Sequence, residues 1–280
     1  MRTVIEDTDH NGRPDRWTVR DPRGVVLSVA TDTNHDGARD RVEYFGSEGR
    51  VTRIDRDEDF DGRLDRYDTI TREGRVILTH YDADWDDIPE RWIQRGGDGE
   101  IVSEWVDRNE DGAPELYRAF DRFRHVTEEG EDRDSDGLYE VQRFYNIHWT
   151  RSLPQVIERD DDRDGIFERR EVFQQSGIRL LVQIDEDRDG EREVARYLAP
   201  DGTVRREGRD RDGDGHFDEW HYPLSTGGFR VAHDDDDDHD IDRWDPPGAP
   251  PGWCEARCRI VAPPSSAGDA GAPIPVVRER

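Results

Sequence analysis

Ten copies of one short acidic loop recur along this chain at a nearly fixed interval. Each follows the pattern Asp-x-Asp/Asn-x-Asp/Asn-Gly-x-x-Asp/Glu, and the copies begin at Asp7, Asp32, Asp57, Asp82, Asp107, Asp132, Asp160, Asp185, Asp210 and Asp234. The intervals are 25 residues for the first five steps, 28 for the sixth, then 25, 25 and 24. A constant period of this length means that one small supersecondary unit is stacked on copies of itself. No single unit could bury an apolar face alone.

The loop pattern suits a hard cation. Calcium takes six to eight oxygens in an adaptable shell, and acids at alternate positions of a tightly curved loop can point inward together. Positions 1, 3, 5 and 9 supply the candidate ligands. They are Asp7, Asp9, Asn11 and Asp15 in the first loop, and Asp32, Asn34, Asp36 and Asp40 in the second. Loop three offers Asp57, Asp59, Asp61 and Asp65; loop four Asp82, Asp84, Asp86 and Glu90; loop five Asp107, Asn109, Asp111 and Glu115. Next come Asp132, Asp134, Asp136 and Glu140, then Asp160, Asp162, Asp164 and Glu168, then Asp185, Asp187, Asp189 and Glu193. The last two sets are Asp210, Asp212, Asp214 and Asp218, and Asp234, Asp236, Asp238 and Asp242. Gly at position 6 permits the sharp turn. Asp87 replaces it in loop four, where a left-handed Asp is tolerable, and His239 replaces it in loop ten. Loop ten, in an acid run beside the tail, is expected to be the weakest, and its His233 and His239 raise a transition metal as an alternative to a solvated end.

Charge follows the loops. The net charge is −28, and 37 of those 40 loop positions are carboxylates. Removing them from the 69 acids leaves 32 against 41 basic residues, all Arg, so the rest of the chain is positive by nine. Ten divalent cations would bring the total to −8; without them, clustered carboxylates repel and oppose a compact state. Only 31% of residues are hydrophobic and 39% are charged, a composition that favours disorder by itself. The strict register argues for order coupled to metal binding. Arg suits such a surface because its planar fork pairs with two carboxylate oxygens at once. Loops of this charge would repel phosphate, so nucleic acid is not an expected partner.

Between loops the pattern is that of strands. After Asp65 comes Arg66-Tyr67-Asp68-Thr69-Ile70, then a turn at Arg72-Glu73-Gly74, then a second strand from Arg75 to Tyr81. Turn glycines keep the period at Gly24, Gly49, Gly74, Gly99, Gly177, Gly202 and Gly227, where a hairpin bend needs a positive φ. Aromatics stand two or four residues after the position-9 acid: Trp17, Tyr44, Tyr67, Trp92, Tyr117, Phe144, Tyr197, Trp220 and Trp244. Those offsets share one face of a strand and predict an aromatic ladder as a thin core, or alternatively a carbohydrate-binding face. Repeat five lacks its turn glycine at Asp121-Arg122-Phe123-Arg124, and repeat six is three residues longer, through Asn146-Ile147-His148-Trp149 to Pro154.

The loops resemble the calcium loops of EF-hands, thrombospondin type 3 repeats, dockerins and, most nearly, integrin FG-GAP hairpins, while the hairpin period resembles MORN or YD-type arrays. The resemblance covers each nine-residue loop. The EF-hand's Glu at position 12 is not kept as a pattern: Thr18, Glu43, Asp68, Ile93, Arg118, Arg143, Glu171, Arg196, His221 and Asp245 stand there, a Glu in two loops of ten. The regular cysteines of thrombospondin type 3 repeats are missing too.

The expected fold is all-β: tandem 25-residue hairpins in an antiparallel array, calcium loops along one edge and turns along the other, with a β-propeller as the alternative. Residues 1–245 form the ten-unit repeat domain and 246–280 a Pro/Gly/Ala-rich tail without fixed structure, holding Cys254 and Cys258. The two cysteines leave a local disulfide, free thiols and a metal ligand pair all open. No apolar run has membrane-spanning length, and no signal peptide is visible. No nucleophile elbow, phosphate loop or zinc-protease motif occurs, so a non-catalytic protein is expected. The leading functional expectation is a calcium-stabilised spacer module, binding several ions and up to ten, of a secreted or cell-surface protein. A calcium-dependent adhesin for a glycan or protein ligand, and a non-catalytic part of a larger secreted toxin or enzyme, are the alternatives.

Overall fold

The computed structural model of the chain describes residues 1–148, 153–236, 238 and 241–246. The tail from 247 onward, with both cysteines, and His239 of loop ten lie outside the described residues.

Among the described residues every regular element is a strand. The first repeats give β1 (Arg2–Glu6), β2 (Arg16–Arg20), β3 (Val26–Thr31), β4 (Arg41–Phe45), β5 (Val51–Arg56), β6 (Arg66–Ile70), β7 (Val76–Tyr81) and β8 (Arg91–Arg95). The middle gives β9 (Ile101–Val106), β10 (Leu116–Phe120), β11 (Val126–Glu131), β12 (Val141–Tyr145), β13 (Pro154–Arg159) and β14 (Arg169–Phe173). The array closes with β15 (Arg179–Ile184), β16 (Val194–Leu198), β17 (Val204–Arg209), β18 (Glu219–Pro223), β19 (Phe229–His233) and β20 (Arg243–Asp245). The second strand of the third unit starts at Val76, one residue later than its β-forming run implies.

Each strand pairs antiparallel with the strand before it and the strand after it, from β1–β2 through β9–β10 to β19–β20. Contacts between elements join chain neighbours only. The result is one open sheet of 20 strands. Because every strand is paired into this one sheet, there are no separate blades as in the propeller alternative, and because β1 and β20 do not pair the sheet stays open. Because the connections alternate, all acidic loops lie at one end of the strands and all tight turns at the other. A meander of this kind is what short connections between antiparallel strands produce.

The turn end is built the same way in most repeats. In the third unit Gly74 N–H donates to Thr71 O (2.9 Å) and Thr71 N–H to Arg75 O (2.8 Å). Gly74 has φ +82°, and the register slips between Thr69 and Ile70. This is the three-residue hairpin with a glycine bulge, which needs one left-handed residue. Arg124 takes that conformation in repeat five with φ 67°, keeping its bond to Asp121 O at 2.9 Å.

One face carries a single row of side chains from end to end. Ile5, Trp17, Ala30, Val42, Asp55, Tyr67, His80, Trp92, Trp105 and Tyr117 are successive partners across β1 to β10. The row continues through Gly130, Gln142, Glu158, Arg170, Gln183, Ala195, Gly208, Trp220, Ala232 and Trp244. Its ends are aromatic and small residues packed by size. A Cβ on Gly208 would stand 3.0 Å from the Trp220 ring, and one on Gly130 3.1 Å from Tyr139. Tyr67 stacks on His80 and Trp105 leans on Tyr117, with ring centres 4.9 and 5.4 Å apart. The expected aromatic ladder is therefore real but interrupted, because Gln142, Glu158, Arg170 and Gln183 fill the middle with polar atoms.

The opposite face is held by charge. Asp68 is fully buried and accepts from Arg56 Nε (3.2 Å), Arg66 Nε (3.1 Å) and Thr79 Oγ1 (2.7 Å). Farther on, Arg118 pairs with Glu129 (2.9 Å), Arg143 with Glu129 and Glu131, and Arg196 with Glu207 (2.7 Å). A single exposed pair of this kind contributes little, but here the arginines lie along the strands in linked rows and shield the sheet beneath.

Candidate metal centres

The strand ends fix the loops. In loops one to four and in loop ten the position-9 N–H donates back to the last residue of the incoming strand, as from Asp15 to Glu6 O and from Asp65 to Arg56 O. The position-1 N–H donates to the position-9 carbonyl of the preceding loop, as from Asp132 to Glu115 O and from Asp160 to Glu140 O, both 2.9 Å. Neighbouring loops are thus stitched side by side, two strand steps or roughly 10 Å apart.

Within a loop the chain curls around the position-1 carboxylate. One of its oxygens accepts from the Gly N–H at position 6, at 2.8–2.9 Å for Asp7, Asp32, Asp57, Asp107, Asp132, Asp160, Asp185 and Asp210. The other accepts from the position-4 N–H in several loops, as from Ser135 to Asp132 (2.7 Å). The position-5 side chain caps the N–H of position 7, as Asp136 does for Leu138 (2.8 Å). In loop four Asp87 stands left-handed at φ 72° in place of Gly, as expected for Asp.

Three of the position-9 acids have one engaged oxygen and one waiting, whereas both carboxylate oxygens accept in Asp15, Asp65, Glu90 and Glu115. Glu140 accepts from Arg133 N–H at 2.6 Å, Glu168 from Asp161 N–H at 2.7 Å, and Asp40 from Thr33 N–H at 2.5 Å. All three are more than nine-tenths buried. The second oxygen of each (Glu140 Oε1, Glu168 Oε1 and Asp40 Oδ1) is buried without a hydrogen-bond donor. Such a group is expensive to leave unmet, and a cation in the loop would meet it.

The carboxylates do converge. Asp132, Asp134, Asp136 and Glu140 bring one oxygen each within 4.8 Å of the others, as do Asp160, Asp162, Asp164 and Glu168, and Asp185, Asp187, Asp189 and Glu193. Asp32, Asp36 and Asp40 form a similar group, and four further groups occur. Loop one differs: Asp9 and Asp15 group with His35 of loop two, whose Nδ1 is 3.3 Å from Asp9. In loop ten the residues around His239 lie outside the described ones, but Asp242 still accepts from Asp235 N–H at 2.8 Å. His233 pairs with Glu219 at 3.5 Å instead of facing the loop.

The proton affinities follow the crowding. Burial raises Asp82, Asp107, Glu140, Glu168 and Glu193, each with a neighbouring loop carboxylate adding to the effect. Asp236 is raised by Asp238 and Asp242. In the first two loops the sense reverses. Asp15 is lowered by the Thr8 hydroxyl and N–H, and Asp36 by the Ala38 N–H and the Asn34 amide. Fewer carboxylates and more donors make those loops less strained without a cation.

One part of this geometry has no signature in the sequence. The residue at position 4 is left-handed in loop after loop: His10, His35, Phe60, Trp85, Glu110, Ser135, Arg163 and Arg188, with Gly213 in loop nine. The residue types share nothing, so no motif announces the conformation. It throws the side chain toward the preceding loop. Arg163 reaches Asp134 at 2.5 Å, Arg188 reaches Asp162, and Ser135 reaches Glu115 at 3.3 Å.

No protein-family model and no curated protein matches this sequence. Among solved structures, a chain of the GtfA/B complex is similar over 40% of this chain and 21% of its own length, with 22% identity and a TM-score of 0.29. The TcdB2-TccC3-TEV structure covers 90% of this chain and 15% of its own, at 11% identity and a TM-score of 0.19. A porin-like protein from Bacteroides uniformis ATCC 8492 covers 82% and 88%, at 9% identity and a TM-score of 0.16. This chain therefore spans about a fifth of the first of these, and likenesses at such scores carry no argument about what it does. Among the described residues no helix is long and apolar enough to cross a membrane.

Proposed function

We propose that this chain is a non-catalytic, calcium-stabilised spacer module of a secreted or cell-surface protein, in which a file of cations along the loop edge rigidifies an otherwise thin sheet. The observation that carries this reading is the waiting oxygen of Asp40, Glu140 and Glu168, buried, without a donor, and facing the carboxylates of the same loop. In loops six to eight the ion would be held by the residues at positions 1, 3, 5 and 9. Oxygen-only donors select a hard divalent ion over a soft one. The ion would supply the positive charge that each crowded loop lacks, and with it the rigidity of two strand ends. Sites of modest affinity fill at millimolar external calcium, and binding to the folded state alone stabilises it by mass action.

Native mass spectrometry of the whole chain after exchange into calcium, magnesium or zinc tests this. Several calcium ions per molecule, displaced by chelator and not matched by magnesium at equal concentration, are expected. A spectrum of the bare chain in millimolar calcium would remove the proposal.

A further inference from the structure

The repeat breaks twice in succession, at the turn of repeat five and in the insertion of repeat six, and a cavity of about 500 Å³ lies where the two breaks meet. Its floor is the charged row Glu104, Arg118 and Glu129, which are cross-strand partners on β9, β10 and β11. These groups are held in place before any ligand arrives: Arg91 grips Glu104 at 2.6 Å, Arg118 grips Glu129 at 2.9 Å, and Arg143 grips Glu129 at 3.0 Å. Phe120 and Tyr145, at the turn ends of their strands, line it as well, together with Arg124 of the turn.

Arg124 is the residue that departs most from the pattern. Seven other turns place Gly in the left-handed position it occupies. A non-glycine residue there costs on the order of 1 kcal/mol, so the fold alone would favour Gly. Its guanidinium has no ion-pair partner among the described residues. A backbone concession that leaves an unpaired guanidinium in the lining of a cavity points to a ligand.

We propose that this cavity binds a carboxylated saccharide. Alternating carboxylate and guanidinium groups match sugar hydroxyls, which both donate and accept. Aromatic walls match the apolar face of a pyranose ring, and the cavity is in the size range of small-ligand sites. Arg124 supplies the fork that a carboxylate takes in two parallel bonds. The site uses strand and turn residues and none of the loop carboxylates, so it does not depend on how many loops hold calcium.

The test is calorimetric titration of the whole chain, in calcium, with cellobiouronic acid and with cellobiose, which differ by the carboxylate alone. The acid is expected to bind at least tenfold more tightly. Arg124→Gly is expected to reduce the acid to the level of the neutral sugar while the melting temperature holds or rises, because Gly is what this turn geometry prefers. Equal binding of the two sugars, binding of neither at tens of millimolar, or an Arg124→Gly variant that keeps its preference or melts lower would each overturn the assignment.

Discussion

The two edges of this sheet are made under different constraints. At the loop edge ten units repeat one carboxylate pattern, and even where Asp87 replaces Gly the backbone keeps its shape. At the turn edge the units need only one left-handed residue, and the pattern fails twice, at Arg124 and after Tyr145. A loop that must present four oxygens to one point tolerates little change. A hairpin turn tolerates insertion and substitution at small cost. The stable part of the molecule and its adaptable part are therefore opposite ends of the same strands.

Four substitutions sharpen that contrast. The largest effect is expected between the edges. Asp68→Ala strands the arginines of two strands and the Thr79 hydroxyl around an empty place, and removing one partner of a buried charge group costs about 3 kcal/mol. Urea unfolding in saturating calcium should show it without a change in ion count. At the loop edge, Glu140→Gln keeps the carbonyl that accepts from Arg133 and replaces the waiting oxygen by an amide. Calcium at that loop should weaken at least tenfold, about 1.4 kcal/mol, read as one ion fewer in native mass spectrometry at limiting calcium. Glycine separates the edges directly. Gly137→Ala and Gly74→Ala both force a left-handed alanine with open space around it, at about 1 kcal/mol each. Thermal melts should fall alike, but only Gly137→Ala should also lower calcium affinity, since strain there shifts the N–H that holds Asp132 at 2.8 Å.

The smallest effects are pH-dependent and opposite in sign. Burial pushes Glu207 upward, but bonds from Arg196 and Arg209 outweigh it and hold the carboxyl below the usual range. Its contribution is present above the unfolded-state value, near 4.3, and is lost as pH falls through the lower folded value. Glu128 is raised by burial and by Glu158. Its contribution is present below the unfolded-state value and is lost as pH rises through the raised folded one. Glu207→Gln should destabilise at pH 7 and lose that effect as the pH falls through the lowered folded value, while Glu128→Gln should stabilise at pH 7 and lose that gain on acidification. Paired melts across pH check both.

Most of the architecture was legible because period and chemistry agree in every unit. The strand Arg66–Ile70, the turn glycines and the loop positions all followed from spacing. Three things did not. The burial of Asp55 and Asp68 has no signal in the sequence, since burial of an acid depends on which arginines the register brings beside it. The polar middle of the aromatic row follows from cross-strand partners 12 to 16 residues apart, such as Gln142 with Glu158 and Glu158 with Arg170. The loop-to-loop reach of Arg163 and Arg188 depends on a left-handed residue with no preferred identity.

If cations on the loop edge hold this sheet together, circular dichroism melts of the chelator-treated whole chain, followed while calcium is titrated in, will report it. β-Structure is expected to form, or to melt tens of degrees higher, as the loops fill, over a stoichiometry of several ions. Spectra and melting temperature unchanged up to millimolar calcium would contradict it, and would leave the loop carboxylates as a solvated, arginine-paired rim.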